Sequence, residues 1–152
     1  MGMKIGLDTN IFLAIRNREP NYLICKKIID AIQIEKETTT NQMKMNGFLS
    51  TIVVAEILVG FYKKRDLVQL NEFLTVINKY YTIIPVSLEI SNESAQLRAE
   101  TEIKLPDALI AISYQQAKVD IFISNDFKLK KKLGFDVLKP EQFVDQYLVS
   151  EE

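Results

Sequence analysis

The residues best suited to chemistry in this chain are acids. Asp8 ends an apolar run over residues 3–7, Glu56 is the sole charge within residues 52–61, and Asp107 and Asp126 bracket the stretch 105–126. Polar side chains that fit a site stand beside them: Asn10 two residues past Asp8, and Ser124 two residues before Asp126. The chain has no histidine and one cysteine, Cys25. A serine–histidine or cysteine–histidine nucleophile pair therefore cannot be built, and a zinc site would lack its usual nitrogen and sulfur ligands. Catalysis here must rest on carboxylates, hydroxyls, amides or cations.

If the acids converge, two carboxylates ~4 Å apart repel by ~4 kcal/mol at an effective dielectric of ~20. A divalent cation offsets that repulsion, and an all-oxygen ligand set favours Mg2+ or Mn2+ over zinc. Glu56 adds a separate argument, because a carboxylate among apolar neighbours is costly unless paired, hydrogen-bonded or bound to a cation. Taken singly, the same residues have ordinary structural roles. Asp8 and Asp107 fit helix caps, Asp126 fits a turn that bonds its own backbone, and Glu56 fits a solvent-facing position on a helix. Cys25 reads as a small apolar residue on a helix face.

Hydrophobic spacing gives the elements that must position these acids. Residues 3–7 read as a strand ending at Asp8, and residues 11–15 as a short helix. After Pro20, the residues Leu23, Cys25, Ile28, Ile29 and Ile32 recur as on an amphipathic helix that fades near Glu37. A polar loop follows at about residues 36–47. Residues 47–51 read as a short strand; 52–61 carry β-branched residues but have helical length, so a helix with Thr51 near its cap is expected. Leu67, Leu70, Phe73, Leu74 and Ile77 give another helix before a strand at 82–86, and residues 88–103 carry a weaker helical pattern. Pro106 is placed to begin a helix with Asp107 in its first turn, and residues 108–117 are apolar on nearly every side. A strand at 121–123, a polar turn at 124–126, a charged helical turn at 128–132, a strand at 136–138 and a helix at 140–148 complete the chain. Strands alternating with helices predict a three-layer α/β/α sandwich with a central, mainly parallel, roughly five-stranded sheet. Sites in such sheets lie beyond the carboxyl ends of the strands.

The chain has 152 residues, 47% of them hydrophobic, with four prolines and five glycines, which predicts a single domain spanning residues 1–152. No apolar run approaches the ~20 residues that span a bilayer, and the N-terminus lacks a signal-type pattern, so a cytoplasmic protein without a membrane partner is expected. A myristoylation motif is discarded because Gly6 stands where it wants Ser or Thr. The net charge of −1 offers a polyanion no overall attraction, so local patches or a metal must bind it. Two basic runs are available, Lys63, Lys64 and Arg65, and Lys128, Lys130, Lys131 and Lys132. Each serves equally well as a solvated helix end.

Four short pieces together resemble the PIN domains, and among them the VapC-type toxins of toxin–antitoxin pairs. They are Leu7, Asp8, Thr9, Asn10; Ser50 and Thr51 with Ala55, Glu56, Ile57 before Gly60; Pro106, Asp107, Ala108, Leu109, Ile110, Ala111; and Ser124, Asn125, Asp126. Each piece is weak alone, and their order, settings and spacing make the combination specific. The resemblance implies that Asp8, Glu56, Asp107 and Asp126 form an acidic quartet holding Mg2+ or Mn2+, with Asn10 and Ser124 as supports. It further implies an endoribonuclease leaving 5′ phosphates and 3′ hydroxyls, an antitoxin whose tail covers the cleft, and a homodimer. Departures are Ser124 for the family's frequent threonine, Leu129 where an aromatic is frequent, with Phe127 nearby, and a longer segment at 35–47.

Other readings fit less well. A receiver domain shares the fold type and a lysine–proline pair, Lys139 and Pro140, but the strand at 82–86 ends in Ser87 without an aspartate, and strand one offers one acid instead of two. A haloacid-dehalogenase-like phosphatase wants a second aspartate where Asn10 stands, and a dinucleotide-binding domain wants a glycine fingerprint that is missing. The alternatives that keep the fold are a housekeeping nuclease and a catalytically silent module binding RNA or protein.

Overall fold

The structure is a computed structural model and describes residues 2–34, 44–128 and 133–148. Its strands are β1 (Met3–Leu7), β2 (Met45–Ser50), β3 (Tyr81–Ile84), β4 (Ile121–Ile123) and β5 (Asp136–Leu138). They form one parallel sheet in the order β3-β2-β1-β4-β5. The chain steps from β1 outward through β2 to β3, then returns to lay β4 against the other side of β1. β1 and β4 therefore flank the reversal in strand order, the crevice where open α/β sheets bind ligands. Ile5, Gly6, Leu7 and all three residues of β4 are buried, as central parallel strands covered on both faces require.

Helices fill the connections: α1 (Thr9–Arg16), α2 (Tyr22–Ile32), α3 (Thr51–Lys63), α4 (Leu67–Tyr80), α5 (Leu88–Glu100), α6 (Leu105–Gln116) and α7 (Pro140–Tyr147). Two glycines let α6 and α2 approach opposite faces of the sheet. A Cβ on Gly6 would stand 2.6 Å from the ring of Tyr114 on α6, and one on Gly47 would meet Tyr81 and, at 2.7 Å, Ile32 of α2. The register pairs Gly47 with Ile5, one residue before Gly6, so the two glycines face opposite ways. Tyr114 is fully buried; its hydroxyl donates to the Leu7 carbonyl and accepts from the Ser50 N–H at 3.3 Å. One phenol thereby ties the ends of β1 and β2. Phe122 packs edge-on against Tyr114 and extends this contact to β4.

The expected α/β/α sandwich with five strands is the observed architecture, and its sheet is wholly parallel. Boundaries differ at places with identifiable causes. β2 begins at Met45, so residues 45–47 belong to the sheet, where Met3, Lys4 and Ile5 of β1 supply partners, and not to the expected polar loop. Residues 35–43 of that loop, and the expected end of α2 near Glu37, lie outside the described residues. Thr51 is the first residue of α3, near the cap as expected, and the cap itself is Ser50, its hydroxyl accepting from the Ile52 N–H at 3.2 Å. β3 stops at Ile84, which pairs with Ser50, the last residue of β2 before α3 begins. α5 ends at Glu100, short of the expected 103. Of the expected helical turn at 128–132, Lys128 is not helical and the remainder lies outside the described residues. Among the described residues no helix is long and apolar enough to cross a membrane.

Candidate active site

Asp8 follows β1, and its N–H donates to the Ile123 carbonyl of β4 at 3.0 Å, which holds the start of the site across the crevice. The side chain serves the capping role expected of it and is held by further bonds. Oδ1 caps α1 by accepting from the Thr9 N–H at 2.8 Å; Oδ2 accepts from Ser124 Oγ at 2.6 Å and, more weakly, from Asn10 Nδ2 at 3.4 Å. Burial pushes its carboxyl up to about 6, against the pull of the Ser124 and Thr9 bonds and with further raising by the charges of Asp107 and Asp126.

Asp107 lies in the first turn of α6, placed there by Pro106 at the helix start. Its carboxyl is also held above the ordinary range, first by burial and then by the charge of Asp126, with the nearby Lys104 cation opposing. Asp126 sits in the turn after β4, exposed, and its Oδ1 accepts from Asn10 Nδ2 at 2.8 Å. Asp8, Asp107 and Asp126 thus come from a strand end, a helix start and a turn, and feel one another's charge at the carboxyl edge of β1 and β4.

Glu56 is differently placed. It lies on the exposed side of α3, so burial among apolar neighbours is not what keeps it; instead Thr9 Oγ1 donates to its Oε1 at 2.6 Å. That bond attaches Glu56 to the residue next to Asp8. Among the described residues, no three acidic side chains stand close enough to share one cation. The acids therefore form a loose arc and not a closed cage.

The supports are more connected than the acids. Ser124 is buried; while donating to Asp8, its Oγ accepts from Asn10 Nδ2 at 3.2 Å and from the Phe127 N–H at 3.2 Å. The structure also gives roles to side chains for which none was foreseen. Thr9 orients Glu56, Tyr114 braces the strand end before Asp8, and Asn21 and Asn125 bond to each other and onward to Asn10. Thr9 was signalled by its place beside Asp8, whereas nothing in the local sequence of Asn21 points to the site. Lys63, Lys64 and Arg65 are exposed at and after the end of α3, Lys128 is exposed after Asp126, and Lys130, Lys131 and Lys132 lie outside the described residues.

Comparison with known proteins agrees with this geometry. The PIN domain family matches residues 5–133. Among solved structures, VapBC2 from Rickettsia felis bound to a DNA fragment from its promoter is similar at 22% identity, with 90% of this chain and 98% of that one covered and a TM-score of 0.63. A toxin–antitoxin complex from Klebsiella pneumoniae is similar at 25% identity, over 90% and 97% of the two chains, with a TM-score of 0.62. FitAcB from Neisseria gonorrhoeae is similar at 21% identity, over 90% and 98%, with a TM-score of 0.65. No curated protein sequence matches the chain.

Proposed function

The chain belongs to the PIN domain family, and on that premise we propose that it is a metal-dependent endoribonuclease, the toxin of a VapBC-type toxin–antitoxin pair. The observation that carries this reading is the mutual charge of Asp8, Asp107 and Asp126 beside the β1–β4 crevice, where burial and that repulsion push Asp8 up to about 6. Carboxyls left in such a state gain from a cation.

The donor set fits Mg2+ or Mn2+. Every candidate ligand is a hard oxygen, and the open arc suits an ion that keeps several waters and takes one or two carboxylates. Asp8 and Asp107 are the direct ligands in this reading, and Asp126 and Glu56 act through water. A bound divalent cation would lower the pKa of a water and neutralise charge gathering on a phosphodiester. The chain's own part is positioning. Ser124 and Thr9 hold Asp8, Asn10 aims Asp126, and Thr9 aims Glu56, so carboxylates on both sides of the crevice can orient an attacking water and accept its proton. Exposed Lys128 beside Asp126, and Lys63, Lys64 and Arg65 beyond Glu56, offer cations to RNA phosphates on either flank.

The partner in this reading is an antitoxin that sets a basic side chain among the acids, supported by likeness to a toxin–antitoxin complex at 25% identity. A homodimer, a cytoplasmic location and a single domain over residues 1–152 belong to the same proposal. Purified protein tests it with single-stranded RNA in Mg2+ or Mn2+. Cleavage abolished by EDTA, and reduced at least about a hundredfold in a folded Asp107→Asn variant, supports the reading. Undiminished cleavage by that variant removes the site assignment, and cleavage in EDTA removes the metal.

A further inference from the structure

We propose that Asn21 and Asn125 are positioning residues of this site: a polar relay from Glu141 on α7 through Asn21 and Asn125 fixes which way the Asn10 amide faces the acids. The proposal rests on the nuclease reading above.

Asn21 stands at the N-cap of α2, where an asparagine side chain ordinarily bonds its own helix and contributes ~1 kcal/mol. Here it makes no such bond. Its Nδ2 is committed elsewhere, donating to Asn125 Oδ1 at 2.7 Å and to Glu141 Oε1 at 3.0 Å. Asn125 then grips Asn10 twice, donating its N–H to Asn10 Oδ1 at 3.1 Å and its Nδ2 to the Asn10 carbonyl at 3.4 Å. With Oδ1 occupied, Asn10 turns its Nδ2 toward Asp126 Oδ1 at 2.8 Å, Ser124 Oγ at 3.2 Å and Asp8 Oδ2 at 3.4 Å.

Polarity sets every step of this path. A carboxylate only accepts, so Glu141 at one end takes the Asn21 N–H, and the carboxylates of Asp126 and Asp8 at the other end take the Asn10 N–H. Between them, Asn21 donates to the amide oxygen of Asn125, which leaves Asn125 its own Nδ2 to give to Asn10. A reversed Asn10 would present its oxygen to the acids and repel them. Outer partners of this kind govern cation affinity by ~10- to 100-fold in metal sites. A plain tie between α2, α7 and the turn after β4 would affect stability and leave the acids as they are.

The experiment uses the full chain, with Mn2+ as the probe. Mn2+ affinity is measured by water-proton relaxation, and the Asn10 side-chain amide is followed by NMR in metal-free protein. Asn21→Ala is expected to weaken Mn2+ binding about tenfold and to move the Asn10 amide resonances, with unfolding still cooperative. Asn21→Asp keeps the shape while turning a donor into an acceptor, so it should weaken binding at least as much, and it serves where the alanine variant fails to fold. Folded variants that bind Mn2+ as the wild type does, or leave the Asn10 resonances in place, overturn the relay alone. A wild type that binds no Mn2+ overturns the metal reading and the relay with it.

Discussion

Ser124 Oγ donates to Asp8 Oδ2 at 2.6 Å, joining the end of β4 to the end of β1 across the reversal in strand order. The bond favours the ionised carboxylate in a place where burial disfavours it. A hydrogen bond to a charged group is worth about 1.5–3 kcal/mol, and one pH unit corresponds to about 1.4 kcal/mol. Ser124→Ala should therefore raise the Asp8 carboxyl further, by about one pH unit, read as the midpoint of its carboxyl carbon resonance in metal-free protein. Ser124→Thr, which keeps the hydroxyl, should stay near the wild-type midpoint. An unmoved midpoint in the alanine variant would show that the bond does not set the charge of Asp8.

Stability of the metal-free protein should depend on pH through the same carboxyl. Asp8 is pushed up to about 6 in the folded chain from 3.8 in the unfolded one, so the folded state binds more protons between those values. The favourable contribution is complete below pH 3.8 and is lost as pH rises through about 6. In EDTA, Asp8→Asn should be the more stable protein at pH 7.5 by on the order of 2 kcal/mol, and the advantage should close near pH 4. Urea unfolding at the two pH values measures it. A wild type more stable than the variant at pH 7.5 would mean that the ionised carboxylate gains more from Ser124 and Thr9 than burial takes away.

Added Mg2+ should reverse that trend, because a cation binds the deprotonated acids and competes with their protons. At ten times its dissociation constant, a ligand specific for the folded state stabilises by about 1.4 kcal/mol. The rise in melting temperature with Mg2+ should be clear at pH 7.5, shrink at pH 5 and be much reduced in Asp107→Asn. An equal rise in wild type and variant at both pH values would place the ion elsewhere on the molecule.

The sheet was legible in the sequence because its central strands are short apolar runs ending in polar turns, and Asp8 and Asp126 stand where such runs stop. Asp107 was legible through Pro106, whose fixed φ marks a helix start. For Glu56 the hydrophobicity of residues 52–61 suggested burial, whereas the glutamate takes the solvent-facing alternative on the exposed side of α3, where Thr9 bonds it. The supports were the least legible part. Asn21, Asn125 and Glu141 are separated by 104 residues between the first two and meet only when α2, the turn after β4 and α7 are packed together. No local periodicity carries such a contact. The partner of Gly6 was equally hidden, since the ring above it comes from Tyr114 on a helix placed by the return crossover to β4.

That contact gives the last prediction. The Tyr114 hydroxyl is buried and bonded to both the Leu7 carbonyl and the Ser50 N–H, so Tyr114→Phe leaves a buried N–H unsatisfied and should destabilise the protein by about 1–3 kcal/mol. Gly6→Ala drives a methyl against the same ring, with the nearest ring atom 2.6 Å away, and should cost a similar about 1–3 kcal/mol through overpacking. The two positions are in contact, so their effects should not add. In a Tyr114→Leu background the methyl on Gly6 has room, and most of the Gly6→Ala penalty should disappear. Urea unfolding of the two single variants and the double variant gives the coupling directly. Strict additivity would mean that the glycine is needed for the backbone of β1 itself, and that α6 does not bear on the strand that presents Asp8.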